Sequence, residues 1–143
     1  TTETVQRIVA VFPPYQQKQV RMQLAGVLRG VISQRLVPRA DGKGRVPAVE
    51  VMVVTQTIRE CVLDADKTRK IPDYLAAGTT QYGSQTFDQS LYWLYKKQLI
   101  TLDEAMKWAT NPADLTLRVK GIQGTSEVAW DTEPAPAPGI DRF

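Results

Sequence analysis

The side chains able to do chemistry in this 143-residue sequence are few in kind. Histidine is absent, which removes the usual general base near neutral pH, the commonest metal ligand and every Ser-His or Cys-His nucleophile pair. The single cysteine, Cys61, has no second cysteine with which to form an internal disulfide or a CxxC metal site. What remains is charge. Arg21, Arg29 and Arg35 each carry a planar guanidinium that can pair bidentately with a phosphate or a carboxylate. Glu50 lies in a β-branched run and requires a cationic partner if it faces inward, and Arg35 on a facing strand is the candidate. Lys43 sits between two glycines, but Gly42-Lys43-Gly44 lacks the earlier glycine and the following hydroxyl of the GxxxxGK[ST] phosphate loop and belongs to a turn. No such loop occurs in the sequence, so the chain is not expected to bind ATP by itself, and no catalytic or nucleotide-binding residue is assigned within it.

These charges need elements to position them. Val5, Ile8, Val9 and Phe12 recur at helical spacing, with Thr2 as N-cap and Pro13-Pro14 as the stop. From Tyr15, the positions Val20, Leu24, Val27, Leu28 and Val31 form one stripe, with Lys18, Arg21 and Arg29 opposite. This reads as a helix with a core face and a basic face, the bland alternative for Lys18 and Arg21 being a solvated surface. Ser33 to Val37 and Val46 to Val54 are rich in β-branched residues and flank Asp41-Gly42-Lys43-Gly44, which predicts a hairpin. Pro47 falls near the start of its strand, where a missing N–H is tolerable. Thr55 then caps a short helix through Asp64. Its inward face is Ile58, Cys61 and Val62, with Arg59 and Leu63 at the edge and Glu60 and Asp64 on the far side.

Pro72 opens a further helix ending at Gly78, and Ser84 caps a longer one with Phe87, Leu91, Leu94 and Tyr95 inward. Thr101 and Glu104 read as a capping box with Ala105 and Trp108 on the buried side, and Asn111-Pro112 as its stop. From about Gly121 the periodicity fades into Pro134-Ala135-Pro136-Ala137-Pro138-Gly139, read as a disordered tail. The fold class is therefore α+β and mainly helical. It divides into residues 1–54 with two helices and two strands, a helical subdomain over 55–120, and a tail over 121–143.

Several ordered blocks resemble one family. FPPYQQKQ from Phe12, RMQLAGVLRGVISQRLVPR from Arg21, and GRVPAVEVMV from Gly44 are similar to the segment that follows the histidine box of PilT-type twitching-motility ATPases. IPDYLAAG from Ile71, QTFDQSLYWL from Gln85, and ITLDEAMKWATNP from Ile100 are similar to the helical end of that family. The likeness covers about Thr2 to Asn111. It implies the end of a RecA-like P-loop ATPase core followed by a small helical subdomain, cut downstream of the nucleotide motifs. An initial Thr that opens directly into a helix agrees with a segment that continues upstream.

By the same resemblance, the complete protein uses ATP and Mg²⁺ and works as a hexamer on an inner-membrane pilus platform protein. It would act in the cytoplasm, peripheral to the inner membrane. Arg29, Arg35 and Glu50 become intersubunit or structural ion pairs. Thr57 to Asp64 lies where retraction ATPases carry AIRNLIRE, which implies a partner-contact role for Ile58, Arg59, Leu63 and Asp64. The match is partial, because Leu63 stands where the family has arginine. Extension ATPases of the superfamily generally carry a tetracysteine zinc site here, which one cysteine cannot build, so the retraction branch is favoured.

Composition is compatible with this reading and with two others. The hydrophobic fraction is 43%, charged residues are 23% and the net charge is +3, which describes one globular domain with interleaved charges. No run approaches the ~18–20 apolar residues of a membrane-spanning helix. A stand-alone interaction module is one alternative. A small basic nucleic-acid binder is the other, since Tyr92, Trp93 and Tyr95 lie beside Lys96 and Lys97 and could stack bases; their helical spacing suits an ordinary core stripe instead.

Overall fold

The backbone rules that punctuate the sequence govern where its first elements break. A computed structural model describes residues 1–121, so the expected tail lies outside the described residues apart from Gly121. Helix α1 (Thr2–Ala10) is followed at once by α2 (Pro14–Val27), with Pro14 in the first helical turn. The proline pair therefore both stops one helix and starts the next, because a first-turn residue has no intrahelical use for its N–H. The expected Thr2 cap is corrected: Thr1 holds the cap position and Thr2 is already helical.

The expected stripe along the second helix is also corrected. Leu28 turns extended and Val31 enters strand β1 (Gly30–Pro38), leaving Val27 on the surface. Pairing Gly30 and Val31 with Val53 and Met52 replaces the helix's next turn. Strand β2 (Arg45–Val53) completes an antiparallel hairpin in which Ser33 faces Glu50 and Arg35 faces Ala48. Both strands begin or end within a few residues of the expected limits. The connecting turn has φ of 69° at Gly42 and 88° at Gly44, the left-handed region in which glycine carries no Cβ penalty. The Asp41 carboxylate accepts from the Lys43 N–H at 2.9 Å and pairs with Arg39 at 2.8 Å.

The outer edge of β2 is closed by backbone and side-chain groups of residues 84–90. The Val54 N–H donates to the Arg29 carbonyl at 3.0 Å. In an antiparallel ladder this pair aims the odd-numbered backbone groups of β2, including the position of Pro47, away from β1. Pro47 has no N–H to leave unpaired there. Val49 N–H donates to Ser90 Oγ at 3.0 Å, and Gln85 Nε2 donates to the Val49 carbonyl at 2.7 Å. Val51 exchanges two backbone bonds with Gln85, and Val53 N–H reaches Ser84 Oγ at 3.4 Å.

Helix α3 (Gln56–Leu63) follows, then a 3-10 turn (Thr68–Lys70), α4 (Ile71–Ala77), α5 (Thr79–Tyr82), α6 (Phe87–Lys96), α7 (Leu102–Trp108) and α8 (Pro112–Val119). The cap of α6 is Thr86, paired with Gln89 in a full capping box; the expected Ser84 cap is corrected, its hydroxyl being engaged at the β2 edge. At α7 only half of the expected box forms. Thr101 accepts from the Glu104 N–H at 3.2 Å, but the Glu104 carboxylate accepts from Trp108 Nε1 at 2.9 Å. Asn111-Pro112 does end α7, and it also begins α8, with Asn111 accepting from the Asp114 N–H at 3.2 Å.

The architecture is α+β and mainly helical, with two apolar clusters joined by the hairpin. One holds Val37 and Ala48 with Phe87, Leu91 and Leu115 of the later helices and Ile100 of the connection between α6 and α7. The other holds Val5, Ala25 and Met52 with Ile58, Val62 and Ile71. The expected boundary after Val54 falls inside this second cluster, so α3 and α4 pack with α1 and α2, and the later helices pack on the far end of the hairpin.

Candidate functional site

The second cluster leaves α3 with a buried face and an outward edge. Thr55 accepts from the Ile58 N–H at 3.3 Å and caps the helix start. Ile58, Cys61 and Val62 are buried, and burial pushes the Cys61 thiol above its ordinary range, which makes it a small inert hydrophobe. Leu63 is 43% exposed and Glu60 is exposed. Arg59 is half-buried, and its buried Nε has no hydrogen-bond partner among the described residues. Asp64 turns to its own loop, accepting from the Asp66 N–H at 3.0 Å and lying 3.6 Å from Lys67 Nζ. The Asp66 N–H, chiefly, holds its carboxyl below the usual range. Ile58, Arg59 and Leu63 thus lie along α3 and Asp64 at its C-cap, with Ile58 inward and Arg59 and Leu63 forming the outward edge.

Arg21 departs from its surface alternative. Its Nη1 donates to the Val62 carbonyl at 2.9 Å and to Thr68 Oγ1 at 3.1 Å. Thr68 has no solvent exposure, and its hydroxyl lies 2.9 Å from the Cys61 carbonyl and 3.0 Å from that of Asp64. Arg21 and Thr68 together supply the C-terminal end of α3 with donors from outside the helix. Periodicity put Arg21 opposite the apolar stripe; it could not show that α3 would pack across that side.

The expected Arg35–Glu50 pair is not the contact that forms. The two lie diagonally on the same sheet face and line one cleft of about 470 Å³ with Thr1, Arg7, Phe87 and Thr110. Arg35 Nη1 donates to the Trp108 carbonyl at 3.1 Å, and the guanidinium stacks 4.1 Å from the centre of the Phe87 ring. The Glu50 carboxylate accepts from the backbone nitrogen of Thr1. An aromatic face and a C-terminal carbonyl of α7 have taken the cation, a combination of cation–π and charge-assisted bonding. Asp88 completes this joint, accepting from the N–H groups of Thr110 at 2.7 Å and Asn111 at 2.9 Å. Arg29 stands apart, with its side chain exposed beyond α2.

Tyr92 is buried, and Trp93 and Tyr95 are half-buried, so the aromatics proposed as a base-stacking platform are engaged in packing. Among the described residues no group of three or more His, Cys, Asp or Glu converges to hold a metal ion. Nor is any helix among them long and apolar enough to cross a membrane. The arrangement is one of mechanical joints: an arginine ties α2 to the end of α3, and another ties the hairpin to α6 and α7.

No family model matches the sequence. Relatives among characterised proteins are nonetheless clear. The chain is 36% identical over 118 residues to the type IV pilus ATPase PilU of Pseudomonas aeruginosa, covering 82% of this chain and 30% of that protein. It is 36% identical over 114 residues to the twitching motility protein of Neisseria gonorrhoeae, covering 80% and 30%. Among solved structures, the pilus retraction motor PilT with bound ADP superposes with a TM-score of 0.66 and 39% identity, covering 78% of this chain and 30% of that one. The chain therefore spans about 30% of the length of the relatives it matches.

Proposed function

Because this chain is homologous to the C-terminal region of the PilT- and PilU-type pilus-retraction ATPases, we propose that it is the partner-facing segment of a hexameric, cytoplasmic retraction motor. In the complete protein, ATP and Mg²⁺ would be held by residues upstream of this segment, and hydrolysis would move rigid units of the ring. This segment supplies the joints that keep such units rigid and the surface that delivers their motion to the inner-membrane pilus platform protein. Taken by itself it lacks the phosphate loop, so it would neither bind nor hydrolyse ATP.

The observation that carries the reading is the state of α3. Its inward residues are sealed in the core and both of its ends are fixed, at Thr55 by a side-chain cap and at Val62 by Arg21. Yet Leu63 is 43% exposed, and the Arg59 Nε is covered and unpaired among the described residues. A covered guanidinium N–H without an acceptor is costly to keep in a helix that only fills space, and here it borders an exposed leucine. An edge that receives a partner uses both.

The test is a combined Arg59→Ala and Leu63→Ala variant in the complete ATPase. Hydrolysis should persist near the wild-type rate while pilus retraction and twitching are lost. Normal retraction in that variant would overturn the reading.

A further inference from the structure

Arg21 lies 36 residues upstream of the block similar to the retraction motif, and yet it is the side chain that ties the end of that helix to the helix beneath it. An α-helix leaves the carbonyls of its last turn without intrahelical partners. In α3, the Glu60 carbonyl accepts from the Asp64 N–H at 3.0 Å, the Cys61 carbonyl lies 2.9 Å from Thr68 Oγ1, and the Val62 carbonyl takes the Arg21 guanidinium at 2.9 Å. Its positive charge sits at the negative end of the helix dipole, where it is favourable.

Thr68 ties this end of α3 to the turn that follows it, and the tethers of α3 to the elements before it differ in kind from Arg21. At its start, the helix continues directly from β2 through Val54 and Thr55. Along its length it is held by Ile58, Cys61 and Val62, and apolar burial is non-directional, so it resists separation more than rotation or sliding. The two bonds from one Nη1 to Val62 and to Thr68 are directional, and they fix where the end of α3 lies relative to α2. Leu63 is the next residue and Arg59 one turn back, so the outward edge takes its position from this contact.

We propose that Arg21 is a positioning residue that passes displacement of α2 to the outward edge of α3, a role that rests on the retraction-motor reading above. Without it, α3 stays folded on its apolar face but pivots about Thr55, and motion of α2 no longer reaches Arg59 and Leu63 in register.

The experiment places Arg21→Ala and Arg21→Lys in the complete ATPase beside Arg59→Ala, and measures ATP hydrolysis, single-pilus retraction rate and backbone amide exchange. Arg21→Ala should leave hydrolysis within about 2-fold of wild type and slow retraction by roughly 3- to 30-fold. Amide exchange should rise at 61–64 and stay unchanged at 49–53 in β2, which separates a local release from general unfolding. Arg21→Lys should recover part of the retraction rate, because an ammonium keeps the charge and the donors but, on a flexible stem without the guanidinium's plane, fixes the direction of the contact less. Wild-type retraction in Arg21→Ala would overturn the proposal, as would an equal loss of hydrolysis and retraction with exchange raised throughout. If Arg59→Ala abolishes retraction while Arg21→Ala does not, the positioning role alone fails. If neither affects retraction, the motor reading falls with it.

Discussion

Replacing Thr68 by valine tests the outside cap of α3 with almost no change of shape. Thr68 has no solvent exposure, and its hydroxyl sits between the Cys61 carbonyl at 2.9 Å, the Asp64 carbonyl at 3.0 Å and Arg21 Nη1 at 3.1 Å. One hydroxyl carries one hydrogen, so it serves one of the two carbonyls at a time while accepting from Arg21. Valine fills the same volume, so no cavity is created, and what is lost is one donor and one acceptor. A buried carbonyl left without its donor costs about 1–3 kcal/mol. Arg21 keeps Val62 and has solvent on one side, so losing its second acceptor adds only about 0.5 kcal/mol. The sum centres on about 2.5 kcal/mol, a fall in Tm of roughly 6–10 °C for a chain of this size. Thr68→Ser keeps the hydroxyl and removes a methyl, costing about 1 kcal/mol through lost burial. Urea unfolding of the purified chain followed by circular dichroism measures both. Valine should cost more than serine. A valine variant within about 0.5 kcal/mol of wild type, or one more stable than the serine variant, would refute the assignment of the hydroxyl as a buried cap.

Two further outcomes follow from the other joints. Asp88→Asn removes one of two charged acceptors and turns an amide donor toward the N–H groups of Thr110 and Asn111, so it should destabilise the chain by about 2–3 kcal/mol, with amide exchange raised first at Thr110 and Asn111. In the hairpin turn, the Arg39 guanidinium and then the Lys43 N–H hold the Asp41 carboxyl below its ordinary range. The folded value is thus below the unfolded one, so the turn gains its stabilisation above the unfolded value of about 3.9 and loses it as pH falls through the folded value. Carboxyl NMR titration should find Asp41 titrating below that value, and Arg39→Ala should move it back up.

Elements whose limits are set by local rules were legible in the sequence. Thr55 caps α3, Pro13-Pro14 stops α1 and the two glycines of the turn permit left-handed backbone; none of these needs knowledge of the rest of the fold. The inward face of α3 followed from period alone, because Ile58, Cys61 and Val62 fall on one side at 100° per residue. Helix α8 was missed although Asn111, Pro112 and Asp114 form a cap, a first-turn proline and a first-turn acid. A proline after asparagine reads equally well as a stop, and the two meanings separate only when the next helix is seen to pack.

The side-chain partners were the least legible. Ser84 was a plausible cap until the Val53 N–H of β2 required an acceptor, and Glu104 a plausible box partner until Trp108 lay one turn away. Arg21 and Arg35 illustrate the same limit. Each was assigned to solvent or to a carboxylate on the strength of its own segment, and each is claimed by a backbone carbonyl more than 40 positions away, an outcome of long-range packing. The likeness of ordered sequence blocks indicated the family without any of these partners, since family resemblance depends on the order of the blocks and not on knowing what each residue touches.

The most direct measurement is site-specific photo-crosslinking of the complete ATPase in cells assembling pili, with the crosslinker at position 63 and, as control, at position 117. Leu63 and Leu117 are 43% and 44% exposed, so solvent access does not distinguish them. An adduct with the inner-membrane pilus platform protein at position 63, and little or none at 117, is the predicted result. Equal adducts at both positions, or none at 63 while the motor retracts pili normally, would contradict the assignment of the outer edge of α3 as the surface through which this segment works.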